Sequence, residues 1–419
     1  MKDFLRREGR RPSLSFVLRA VALNMALWCV ISSHATSPSE ALKTLLSSKA
    51  IDPDQTAVFI KDVDSDWVVA SHNSLLPLTP ASVMKCVSTA ALATVSPYAS
   101  TLTTKVWLSG KRSGESFTGR LTAEGAGDPS LGCKRHSSQP DFIAAIVDAL
   151  KNKGINEFRG DITVDGSVFS GPSTPPSWTD GDREQSYGTG LHGFNFEGNS
   201  SGKKSVNNPG ALFIKKLSAA LEAAGIKFTP ENPSLSGAKR QLLLEYKSPQ
   251  LRELMQSCMF RSDNLYAESF LRLFSLGNGG DGSSQMAAQI AMQHWDALNF
   301  NLDGVEIADG SGLSRNNTLT AEFLGNVLEN RKDDLEYVSF FPAVGMEGTV
   351  AGFMKDTPLQ GRLVLKTGSM SGVQSYAGYL LDSDGITPRC VVVVITNNLK
   401  NRSVYRTDLS KFFLSVLQD

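Results

Sequence analysis

The sequence predicts an α/β (α+β) fold, an antiparallel sheet flanked by helices and interrupted by an inserted lobe. Three observations predict it. Strand-like runs lie near both ends of the chain, helical patterns dominate after Pro249, and residues 101–244 have a separate, loop-rich texture. The outer segments supply complementary pieces, so we read 36–100 and 245–419 as one discontinuous domain around the lobe. A length of 419 residues suits two or three domains at roughly 150 residues each.

In chain order, Thr56–Asp62 and Trp67–Ser71 read as strands joined by Val63-Asp64-Ser65-Asp66. Ser82–Ala93 is a mostly apolar pattern of helical length, predicting a helix buried on nearly all sides and stopped by Pro97. Inside the lobe, Thr103–Leu108, Phe117–Ala123 and Asp161–Val164 read as strands, and Asp141–Lys151 and Ala211–Ala224 as helices. The later helices are Gln250–Phe260, Leu265–Leu276, Gln285–Asn299 and Ala321–Asn330. Three strands, Arg362–Thr367, Ser375–Leu381 and Arg389–Thr396, precede a short closing helix over Asp408–Leu417.

Composition excludes several function classes. Lys+Arg 42 against Asp+Glu 42 leaves no basic excess for neutralising phosphates, which argues against nucleic-acid binding. Five His and five Cys, none in a ligand-like spacing, argue against a metal site. The N-terminus is basic (Lys2, Arg6, Arg7, Arg10, Arg11, Arg19), then apolar from Ala20 to Ile31, then Ser33-His34-Ala35. That is the layout of a secretory signal peptide over 1–35, with an uncleaved anchor as the other reading. We therefore expect an exported, periplasmic protein with at most peripheral membrane association. Cutting after Ala35 leaves a net charge of about −4. It also leaves Cys86, Cys133, Cys258 and Cys390, expected mostly as buried thiols.

Serine motifs carry the chemistry. Gly198-Asn199-Ser200-Ser201-Gly202 has the GxSxG form but is followed by loop composition rather than a helix. SxxK occurs at Ser82/Lys85, Ser200/Lys203, Ser201/Lys204 and Ser236/Lys239, and only the first opens an apolar helix. One helical turn places Ser82 and Lys85 on one face, with the helix N-terminus near the serine oxygen. Apolar neighbours should desolvate Lys85 and lower its pKa toward a usable base. Ser262-Asp263-Asn264 falls in a tight break between two helices, where a plain helix cap is the bland reading. Lys366-Thr367-Gly368, followed by Ser369, is expected at the end of a strand.

The order SxxK, S-D-N, K-T-G resembles the set shared by penicillin-binding proteins and class A β-lactamases. With Gly127-Asp128-Pro129-Ser130-Leu131, Tyr187-Gly188, Asp309–Arg315, Gly348-Thr349-Val350 and Gly361-Arg362-Leu363, the chain resembles the D-alanyl-D-alanine carboxypeptidase/endopeptidase family of low-molecular-mass (class C) penicillin-binding proteins, the S13 serine peptidases. The resemblance implies a penicillin-binding, β-lactamase-like serine hydrolase domain that needs no cofactor. It implies Ser82 as nucleophile, Lys85 as base and Ser262 as proton relay. Asn264, Lys366, Thr367, Gly368 and Ser369 would bind substrate, and N–H groups of Ser82 and Ser369 would form an oxyanion hole. The implied partners are peptidoglycan stem peptides, with β-lactam antibiotics as covalent inhibitors. The alternatives are a β-lactamase and a non-hydrolysing periplasmic penicillin-binding sensor. One departure stands out: where relatives carry a second, inner inserted domain, this chain has a short polar link between Asn199 and Val206.

Overall fold

The computed structural model describes residues 37–136 and 140–418. The predicted signal peptide and its cleavage site lie outside the described residues.

The first sheet has five strands in the order Leu363–Met370, Val373–Leu381, Pro388–Thr396, Thr56–Asp62, Val68–His72, every neighbour antiparallel. Its inner strands are apolar without alternation because helices cover both faces. Cys390-Val391-Val392-Val393-Val394-Ile395 is buried throughout. On one face lie helices Met84–Val95, Leu251–Arg261, Asn264–Gly277, Ser284–Ala297 and Ala321–Asn330, sharing a core that includes Met84, Phe270, Trp295 and Phe323. On the other face Pro38–Leu46 and Arg402–Leu417 pack over Val58, Tyr376 and Val392. The closing helix thus begins at Arg402 rather than Asp408. The mixed residues ahead of Asp408 hid its first turns, while Asn401 caps them by accepting from the Val404 N–H.

The second sheet, in residues 103–247, runs Lys227–Pro230, Glu157–Asp165, Ser116–Glu124, Thr103–Ser113, Arg240–Lys247. Its first two pairings are parallel and its last two antiparallel. Helices Phe142–Asn152 and Pro209–Ala223 cover it over a separate core of Val106, Leu121, Phe142, Phe158 and Phe213. Two strands here escape the sequence pattern, Lys227–Pro230 and Arg240–Lys247. Both are edge strands with mostly exposed or half-buried residues, so they show little apolar alternation. The polar link folds as a short 3₁₀ turn, Glu197–Asn199, and a small hairpin pairing Ser200–Ser201 with Lys204–Ser205. Ser200 sits in that hairpin rather than at a strand-to-helix turn, so the GxSxG stretch is not a nucleophile elbow.

Candidate active site

Ser82 lies in the 3₁₀ turn Ala81–Val83 that leads into helix Met84–Val95. From Met84 to Leu92 every residue of that helix is buried, so Lys85 enters the core with it and is 0% exposed. Its Nζ donates to Ser82 Oγ at 2.9 Å, to Asn264 Oδ1 at 2.7 Å and to the Ser311 carbonyl at 2.6 Å. Burial lowers the Lys85 pKa from the ordinary lysine value, which favours the neutral amine. The amine therefore sits beside the hydroxyl, held by two further acceptors.

Ser262 ends helix Leu251–Arg261 in the left-handed region, φ 58°, ψ 43°. Asp263 caps the next helix and Asn264 opens it, so the break serves both readings of the motif. Ser262 Oγ accepts from Lys366 Nζ at 2.9 Å. Lys366 is fully buried, and burial together with the Lys85 charge lowers its pKa to about 7. The cluster thus holds two serine–lysine pairs, with Asn264 bonded to the first. Both polar ends of the Asn264 amide are engaged, since Nδ2 donates to the Tyr187 carbonyl at 2.8 Å.

The Lys366-Thr367-Gly368 segment corrects one expectation. It does not end its strand, which continues to Met370 before turning back at Val373. Leu363–Met370 is an edge strand whose first half is bonded outward to Pro342 and Val344. Gly368 also has a packing role. A Cβ there would lie 2.5 Å from the Pro80 carbonyl oxygen and 3.1 Å from Ser82 N, so glycine lets the nucleophile turn seat on the strand. Thr367 donates to Thr349 Oγ1 at 2.8 Å, while Ser369 is exposed.

Sequence reasoning assigned no role to the supports beneath these groups. Glu268 lies one turn beyond Asn264, and its Oε1 accepts from the N–H groups of Gly310 and Ser311 at 3.1 and 2.9 Å. That fixes the turn whose carbonyl accepts from Lys85. Burial and the neighbouring Asp309 push Glu268 up to about 7. Asp309 in turn accepts from Trp178 Nε1, Asn317 Nδ2 and the N–H groups of Gly312 and Ser314. The signal was the Asp309–Arg315 run, noted only as a likeness. The four cysteines among the described residues are free, and burial pushes the Cys86 and Cys258 thiols up to about 12, so neither competes as a nucleophile. Among the described residues no His/Cys/Asp/Glu group could hold a metal ion.

Comparison with known proteins gives a match to the D-Ala-D-Ala carboxypeptidase 3 (S13) family over residues 39–203 and 195–409. The chain belongs to this family. It is a serine hydrolase of the D-Ala-D-Ala carboxypeptidase type. Carboxypeptidase DacB of Mycolicibacterium smegmatis is 26% identical over 372 residues, 84% of this chain and 79% of that protein. Penicillin-sensitive carboxypeptidase A of Dictyostelium discoideum is 30% identical over 232 residues, 50% of this chain and 44% of that protein. Among solved structures, penicillin binding protein 4 (dacB) from Haemophilus influenzae superposes with a TM-score of 0.74 at 20% identity, covering 90% of this chain and 97% of that one. The S13 enzyme therefore has the penicillin-binding fold.

Proposed function

We propose that this S13 enzyme cleaves the bond between the two D-alanines of peptidoglycan stem peptides, as carboxypeptidase or endopeptidase, through an acyl-enzyme on Ser82. The observation that carries the reading is the buried Lys85 amine 2.9 Å from Ser82 Oγ. Ser82 Oγ attacks the carbonyl while neutral Lys85 takes its proton. Backbone N–H groups of Ser82 and Ser369 stabilise the oxyanion. The C–N bond then breaks, and the leaving amine takes a proton delivered through Ser262. Asn264 exchanges its Tyr187 contact for the substrate amide. Water hydrolyses the ester and returns Ser82. β-Lactams acylate the same serine.

A steady-state assay with a D-Ala-D-Ala peptide tests this. Sustained turnover is expected. One equivalent of product and then silence would indicate a sensor, and fast penicillin hydrolysis without peptide turnover a β-lactamase.

The two lysines set a pH profile. Acylation needs Lys85 neutral, so its rate rises as pH climbs through the lowered Lys85 pKa. Lys366 supplies positive potential for a substrate carboxylate and loses its charge as pH rises through about 7. We expect a bell-shaped kcat/KM for carboxylate-ended peptides. The falling limb should vanish when the carboxylate is converted to an amide. A falling limb of equal size on both substrates would show that Lys366 titration is not its cause.

Reading of the carboxylate falls to the Thr367 and Ser369 hydroxyls. Wild type should prefer the acid over its amide strongly, and Thr367→Val should discriminate less. Equal loss on both would remove Thr367 from that role.

The same reading divides the chain into 36–100 with 245–419 as the catalytic domain and 101–244 as the inserted lobe. The family match resuming at residue 195 after running to 203 supports a link in place of an inner insert. No helix among the described residues is long and apolar enough to cross a membrane. Export to the periplasm is part of the proposal, and N-terminal sequencing should find Thr36 or a close neighbour first. Retained Met1 would favour the anchor.

A further inference from the structure

Besides the Tyr187 and Trp178 contacts, the inserted lobe reaches the catalytic machinery through the loop tip Cys133 to His136. Arg135 Nη1 donates to Asp263 Oδ2 at 2.5 Å, and its guanidinium carbon lies 5.2 Å from the centre of the Tyr266 ring. His136 Nε2 lies 3.0 Å from the Tyr266 hydroxyl. The tip thus grips two residues of the first turn after Ser262. That turn needs holding, because Ser262 is a non-glycine residue in the left-handed region. The flanking side chains are held, Ser262 by Lys366 and Asn264 by Lys85 and the Tyr187 carbonyl, but the local contacts of Asp263 between them are longer. The Asp263 N–H donates to the Cys258 carbonyl at 3.2 Å, and Asp263 Oδ1 caps the Tyr266 N–H at a long 3.4 Å. The remaining carboxylate oxygen goes to Arg135. Both partners are only partly exposed, at 30% and 17% for the side chains, and a charge-assisted bond there is stronger than a surface ion pair.

We propose that Arg135 is a positioning residue. By clamping Asp263 it keeps the Ser262–Asn264 turn in the conformation that aims the Ser262 hydroxyl between Lys366 and the leaving amine. The lobe is then part of the reaction apparatus rather than an appendage. The proposal rests on the reading of Ser262 as proton relay, and the test separates the two.

Arg135→Met is compared with wild type on a D-Ala-D-Ala peptide and on a matching thioester, whose thiolate leaves without a proton. We expect kcat on the amide to fall roughly 10- to 100-fold, with KM little changed and the thioester rate nearly kept. Arg135→Lys, which restores the charge without the planar fork, should recover part of the loss. Asp263→Asn should reproduce it independently. The decisive arm is Arg135→Met in a Ser262→Ala background, where it should cost nothing further. A full additional loss there, or equal loss on amide and thioester, overturns the clamp. Ser262→Ala alone showing no preference for the thioester would instead defeat the relay reading. The clamp would still be judged by whether Arg135→Met subtracts in that background.

Discussion

Ser82→Ala should abolish peptide hydrolysis and covalent capture of labelled penicillin together, a loss of roughly 10⁴-fold or more. The substitution removes only a half-buried hydroxyl and one hydrogen bond from Lys85, so folding should be nearly unaffected, at about 1 kcal/mol. Peptide mapping of the wild-type adduct makes the result specific. Three other serines have a lysine three residues on, at Ser200, Ser201 and Ser236, and none opens a helix. An adduct on any of them would reassign the nucleophile.

The second large effect belongs to Lys85. A buried amine beside the nucleophile is useful only if it can give up its proton, and burial moves its pKa in that direction. Arginine keeps a charge there permanently, so Lys85→Arg should lower penicillin acylation by roughly 10²-fold or more. Because the larger head group strains a tight site, Lys85→Met is the companion variant, of similar reach and without an ionisable group. Both should lose acylation while retaining a cooperative thermal transition. Near-normal acylation by either would remove Lys85 from the proton path.

What could be read in advance followed from local pattern. The apolar run within Arg389–Thr396 announced a strand, and Ala321–Asn330 announced its helix to the residue. Motif position singled out Ser82, Lys85, Ser262, Asn264 and Lys366, which the fold brings into two bonded clusters. The unread parts depend on backbone or on distant partners. No spacing rule reveals that a carbonyl of Ser311 or Tyr187 completes a hydrogen-bond set, or that Thr349 meets Thr367. The packing demand on Gly368 was hidden for the same cause. Its constraint comes from Pro80 and Ser82, remote in sequence but pressed against its Cα. The edge strands Lys227–Pro230 and Arg240–Lys247 went unseen because half-exposed residues need not alternate.

The first sheet pairs Thr56 with Thr396 across its centre, so its middle cannot close until almost the whole chain exists. At typical rates of synthesis, the early strand waits on the order of tens of seconds for its partner. Residues 103–247, whose sheet and core are built within themselves, face no such delay. The nascent chain therefore carries an apolar hairpin and the Ser82 helix beside an already folded neighbour. In that interval its unpaired apolar strands are open to aggregation. Loss of the last strand, far from any reacting atom, would leave the nucleophile present but never assembled.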